Sequence, residues 1–148
     1  MATLIQNRGL QYPLTAVFEF DIAANDQMIQ ATGGAAQLFK SAAGVYEIVA
    51  LPVNSIILSG SLTVDVASND SGAPTVAVGD SGAPARYLAA TSIKTAGVTP
   101  LVPTGLINSS GLNVRITVAA GNGDATAGRV RLVVNFITKN RQNETQIT

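Results

Sequence analysis

The chain has no cysteine, no histidine and no tryptophan, and these absences remove much of the chemistry that a domain of 148 residues could carry. Without cysteine there is no disulfide framework and no thiol nucleophile. Without histidine there is no Ser-His-Asp triad, and without either there is no Cys/His zinc site. Charge is scarce as well. Charged residues make up 12% of the sequence, about half of the roughly 25% usual in globular domains, and nine basic residues balance nine acidic ones. Phosphate-backbone binding needs a basic excess, so a nucleic-acid partner is not expected. No segment approaches the ~20 continuous apolar residues of a membrane-spanning helix, so no membrane partner is expected either. Residues 1–10 hold a single charge, Arg8, and no apolar run, which predicts a soluble chain without a signal peptide.

What remains is apolar, small and weakly charged. Hydrophobic residues reach 47% while aromatics are only 5%, so the core must be built from Val, Ile, Leu and Ala, a composition that suits sheets. The length fits one domain able to bury a core unaided. A near-neutral surface of Ser, Thr, Asn, Gln and Gly favours association over life as a freely diffusing monomer.

Alternation is the strongest pattern. In residues 112–138, Leu112, Val114, Ile116 and Val118 alternate with Asn113, Arg115 and Thr117, and Val130, Leu132, Val134 and Phe136 repeat the pattern. The gap between them holds Gly121, Asn122, Gly123, Asp124 and Gly128, which predicts a chain reversal and a long hairpin with one apolar face. Other strands must cover that face. Leu14, Ala16, Phe18, Phe20 and Ile22, set against Thr15, Val17, Glu19 and Asp21, predict a first strand. Asn25 and Asp26 suggest a turn, Met28 and Ile29 a short strand, residues 33–40 either strand or loop, and residues 45–50 a strand ending before Pro52. Within residues 55–67, Ile56, Leu58, Leu62, Val64 and Val66 are in phase, and Gly60 predicts a bulge or bend.

The peptide DSGAP occurs at residues 70–74 and again at 80–84. Aspartate, serine and glycine favour side-chain-to-backbone turns, so two like turns should bracket a short strand at residues 75–78. Pro84 could then open a short helix through Tyr87, Leu88 and Ala90 to Ile93, with Ser81 or Gly82 near its cap. Residues 97–105, containing Pro100 and Pro103, read as extended and irregular. The expected organisation is an N-terminal arm at 1–13, an all-β antiparallel sandwich of about eight strands with at most one short helix at 14–139, and a polar tail at 140–148.

Few residues suggest chemistry. Glu19 and Asp21 share one strand face, and glycosidases use carboxyl pairs roughly 5–10 Å apart, but these two lie opposite Phe18 and Phe20 and read as a solvent-facing edge. Asp65, Asn69, Asp70 and Asp80 invite a calcium site, yet EF-hand spacing is missing and turn formation explains an aspartate in each DSGAP. No Ser-x-x-Lys, Walker or G-x-G-x-x-G pattern occurs. No catalytic residue, cofactor or metal is therefore expected, and the chain does not read as an enzyme. The predicted hairpin would gather Arg115, Arg129 and Arg131 on its polar face, where they need acidic partners such as Asp65 or Glu47 or a neighbouring subunit. Tyr12, Tyr46 and Tyr87 form no stacking stripe and read as packing or interface residues.

One resemblance runs through LTVDVASND (62–70), VGDSGAPARYLAATSIKTAG (78–97), LVPTGLI (101–107) and ATAGRVRLVVNFI (125–137). In this order, spanning roughly half of the chain from Leu62 to Ile137, these segments resemble the small β-sandwich proteins that decorate or cement the capsids of tailed bacteriophages. The resemblance implies a jelly-roll-like sandwich, a homotrimer, and a place on the outer surface of a virion against the major capsid protein, after synthesis in the host cytoplasm. It makes Arg8, Tyr12, Arg115, Arg129 and Arg131 candidate partner contacts and the two ends natural latches. The alternative from another class is a receptor- or carbohydrate-binding module of a phage tail or fibre.

Overall fold

The computed structural model describes residues 13–22, 27, 28, 37, 38 and 43–138. Among the described residues eleven strands follow one another: β1 (Leu14–Asp21), β2 (Gln27–Met28), β3 (Gln37–Leu38), β4 (Gly44–Val49), β5 (Ser55–Val66), β6 (Thr75–Gly79), β7 (Leu88–Ser92), β8 (Gly97–Pro100), β9 (Ile107–Asn108), β10 (Val114–Ala119) and β11 (Arg129–Thr138). One layer has the order β1-β11-β5-β8, with short β9 also on β5; the other has the order β4-β10-β6-β7; β2 and β3 pair separately. Every pairing is antiparallel. Strands that are distant in sequence are neighbours in each sheet, and the chain passes repeatedly between layers, which is the jelly-roll arrangement. The arm at 1–12, with Arg8 and Tyr12, the turn at Asn25 and Asp26, Ile29, most of 33–40 and the tail from 139 onward lie outside the described residues.

Period-two alternation builds the core, because each layer turns one face inward. Val130, Leu132, Val134 and Phe136 of β11 and Val114, Ile116 and Val118 of β10 are all buried, as the alternation predicts, and Phe20, Leu62, Val64, Val76, Val78 and Leu88 join them. The expected hairpin, however, does not form. β10 pairs with β4 and β6, whereas β11 pairs with β1 and β5. The two strands belong to opposite layers instead of lying side by side, their inward residues join one core, and the link at 120–128 crosses between layers.

The expected helix over residues 84–93 is also replaced. Arg86 N–H donates to the Ala83 carbonyl and Tyr87 N–H donates across to Val78, closing a turn, after which Leu88–Ser92 is strand β7 against β6. Tertiary pairing of Tyr87 and the inward pull on Leu88 outweigh the weak helical preference of this stretch. No helix occurs among the described residues. Residues 97–105 are only partly irregular, since Gly97–Pro100 adds an edge strand to β5.

The phase read along β5 holds only in part. Leu62 and Val64 point inward, but Ile57 is buried while Leu58 and Val66 are 41% and 44% exposed. Register shifts at both ends cause this: Asn135 pairs with Ser59 and Phe136 with Ile57, leaving Leu58 as an extra residue, and Arg129 pairs with Val66 while Val130 pairs with Val64. Gly60 adjoins the first bulge, and a Cβ there would stand 2.6 Å from Leu101 Cδ1, so the crossing of β11 and the Leu101 side chain requires glycine. Val134→Asp is expected to cost several kcal/mol, enough to unfold a large share of the protein, because an unpaired carboxylate would enter the middle of the β11 inner face. Urea unfolding measures it, and a variant of unchanged midpoint would refute the inward assignment.

Candidate assembly surface

Both ends of the described chain lie at one end of the larger sheet. β1 begins at Leu14, opposite Phe136 near the finish of β11, so the described chain starts and finishes on adjacent strands. The outward face of this sheet is laid out in rows by the register. Thr15 Oγ1 donates to Asn135 Oδ1 at 2.8 Å, and Asn135 Nδ2 donates to Ser59 Oγ at 2.9 Å, forming a polar row across three strands. Val17, Val133, Ser61 and Pro100 make the next row, and Glu19, Arg131, Thr63 and Val98 the one after it. Val17 is 61% and Val98 67% exposed. Four strands of this length present roughly 400 Å², about half of what one partner of a standard interface contributes.

The charged groups on this face are already paired. Arg131 reaches Asp65 at 3.0 Å, and Arg129 reaches Asp21 at 3.4 Å and Glu19 at 3.7 Å. Glu19 and Asp21 thus sit around one arginine. Arg115 lies on the other layer, bonded to Glu47 at 3.0 Å, so the three arginines are not gathered on one face. β10 and β11 belong to different sheets, and that separation is the physical reason. Asp65 and Glu47, named from the sequence as possible partners, pair with Arg131 and Arg115, whereas Arg129 pairs with Asp21 and Glu19. Because these pairs are exposed, each stabilises the fold by at most about 1 kcal/mol. The Asn113 side chain, opposed by desolvation and aided by Arg115, lowers the Glu47 pKa. Arg8 and Tyr12 fall outside the described residues.

The two DSGAP turns do more than reverse the chain. Asp80, 2% exposed, accepts bonds from Gly82 and Ala83 N–H at 2.8 and 2.9 Å and from Arg86; the Tyr87 hydroxyl lies 3.4 Å away. Burial pushes the Asp80 carboxyl up, but the Arg86 bond and the two backbone N–H groups outweigh it and hold the pKa below the ordinary value. Burial, with the Asp80 charge beside it, raises the Tyr87 hydroxyl. Asp70, 0% exposed, accepts from Gly72 N–H at 2.7 Å within its own turn and from Asn122 and Gly123 N–H at 2.9 and 3.0 Å in the interlayer link. Asn69 Oδ1 accepts from Thr126 and Ala127 N–H, Asp124 accepts from Ser71, and Lys94 Nζ caps the Asp70 and Gly72 carbonyls. Asp65 is with Arg131, so Asp65, Asp70 and Asp80 serve three separate purposes, and no group of three or more acidic side chains able to hold a metal gathers among the described residues.

Sequence reasoning found the outward charges and Val17 between them, but not Val98. Val17 was legible, since it alternates with Glu19 on the outward side; Val98 was not, because its stretch carried no alternation. Among the aromatics, Tyr46 and Tyr87 are buried and unavailable as stacking platforms.

No protein-family model matches the sequence, and no curated protein matches it. Solved structures share its fold. A chain of the cyanophage Pam1 capsid asymmetric unit is 24% identical, with a TM-score of 0.57 over 93% of this chain and 92% of that one. A chain of the capsid of Ralstonia phage GP4 is 16% identical, with a TM-score of 0.61 over 93% of this chain and 91% of that one. Near-complete coverage in both directions means that the whole jelly roll is the common element.

Acidification tests the Asp80 cluster. A lowered native pKa contributes stability that is fully present above the unfolded value of about 4 and is lost as the pH falls from there through the native value. Asp80→Asn should lose about 1–3 kcal/mol at neutral pH and show a shallower further loss at low pH, measured by urea unfolding across that range.

Proposed function

We propose that this chain is a structural protein of a phage virion, a decoration or cement subunit bound to the outer surface of the capsid, which acts by binding and not by catalysis. The observation that carries this reading is the fold, shared over nearly its full length with chains of two phage capsids. The chemistry agrees with it: the chain lacks histidine and cysteine, and its carboxylates at Glu19, Asp21, Asp65, Asp70 and Asp80 are engaged with arginines or backbone N–H groups.

In this reading the sandwich is a rigid bridge across neighbouring capsid subunits. Surface buried only in the assembled shell stabilises the shell over its dissociated parts by linkage. The outward face of the β1-β11-β5-β8 sheet, with Val17, Val133 and Val98 among paired charges, offers one contact area, and its modest extent calls for more. Residues 1–13, with Arg8 and Tyr12, and residues 140–148 would supply it. Self-association as a closed trimer fits the weakly charged surface, since cyclic symmetry satisfies identical patches without open polymerisation. The arginines lend the trimer no support, because each has an acidic partner within its own chain. Among the described residues Tyr46 and Tyr87 are buried, so neither offers the carbohydrate-binding alternative a ring to stack on a sugar.

The test is binding to undecorated heads of the parent phage, followed by cryo-electron microscopy. Density for this jelly roll on the shell is the expected result, and failure to bind heads would overturn the reading. Deletion of residues 1–13 should preserve the fold by circular dichroism while reducing occupancy on heads at least about tenfold, because an arm adds contact area without adding core. Analytical ultracentrifugation at micromolar concentration should give a trimer; a clean monomer would remove self-association from the mechanism.

A further inference from the structure

The interlayer link carries Asn122 followed by Gly123, a sequence in which the unhindered glycine nitrogen can attack the preceding side chain. In that reaction the Gly123 backbone nitrogen loses its proton and bonds to Asn122 Cγ. The Cγ–Nδ2 bond breaks, ammonia leaves with the proton, and a five-membered succinimide remains. Water then opens either imide C–N bond, giving aspartate or isoaspartate. The balance is amide plus water to acid plus ammonia.

The structure holds each reacting group away from this path. Gly123 N–H donates to Asp70 Oδ2 at 3.0 Å, Asn122 N–H donates to Asp70 Oδ1 at 2.9 Å, and Asn122 Nδ2 donates to Ser71 Oγ at 2.9 Å. Attack requires the Gly123 nitrogen to give up its proton, and a buried carboxylate accepting that N–H both retains the proton and repels the negative charge that would develop. The approach is tight on the other side as well: a Cβ at Gly72 would stand 2.8 Å from the Ala120 carbonyl and 3.1 Å from Asn122 N, so the two loops meet backbone to backbone.

We infer that Asn122–Gly123 is a deamidation site kept closed by Asp70, reactive only when the loops at 69–73 and 120–128 part. The product makes the opening one-way. A carboxylate at position 122 would adjoin Asp70 and Asp124, and isoaspartate would also add a methylene to the backbone, so the bonds to Asp70 could not re-form in their native geometry. This is a slow, irreversible loosening of the link between the two layers, and it is independent of what the protein assembles with.

The deciding comparison uses the unmodified full chain, incubated at mildly alkaline pH in the native state and in urea, with aspartate and isoaspartate at position 122 quantified by peptide mapping. Native deamidation should be at least about tenfold slower than in urea, and the Gly123 amide should be protected from hydrogen exchange, since both processes need the same opening. Equal rates would overturn the inference, and so would slow deamidation with an unprotected Gly123 amide. Asp70→Asn, with its fold verified by circular dichroism, should deamidate at a rate approaching that in urea. A folded variant as slow as the unmodified chain would remove Asp70 from the control of this site.

Discussion

Burial of one face of every principal strand against the opposing layer is the constraint on which the rest of the structure depends. The chain has few aromatics and no tryptophan, so the interior must be filled by many medium-sized side chains held in close register. Val130, Leu132 and Val134 on one side and Val114, Ile116 and Val118 on the other do this without measurable exposure or nearly so. The bulges in β5 and the glycine at position 60 follow from it, because a long strand can keep inward residues inward against β11 only by inserting extra residues where the sheet bends.

A jelly roll places its crossings at the ends of the layers, where backbone polar groups would otherwise be unpaired. This chain meets that demand with short polar side chains. Asp80 gathers its own turn and Arg86, while Asp70 and Asn69 bind the link between β10 and β11 to the turn before β6. The carboxylates are buried and saturated with donors, so they act as fasteners.

Surface chemistry follows from what the fasteners and the core consume. Arg115, Arg129 and Arg131 find acidic partners in their own sheets, leaving outward faces of low net charge interrupted by exposed valines. Such faces suit broad, weakly polar contacts more than small-molecule recognition, in keeping with a role in a large assembly. The contact area available on the sheet is limited, which gives the segments that leave beside β1 and β11 their importance in the proposed mechanism.

The sequence by itself determined the strands of clear alternation, β1, β10 and β11, and which way their side chains point, because period-two alternation is a local property that any half-buried strand must satisfy. It also determined the two DSGAP turns, whose aspartates both bond to the backbone N–H two residues on, and it named Asp65 and Glu47 among possible partners for the arginines without assigning them. Only the tertiary structure decided that β10 and β11 lie in different layers. Alternation fixes a face but not a neighbour, and two apolar faces are buried equally well side by side under a third element or directly against each other. The same limit hid the extra residue at Leu58, the turn and strand that displaced a helix after Pro84, and the reach of Asp70 to Gly123. Each depends on a partner more than ten residues distant or on a competition between local preference and burial, and the physical reason is the same: short-range spacing carries the direction of a side chain, whereas its contacts are set by how the whole chain closes on itself.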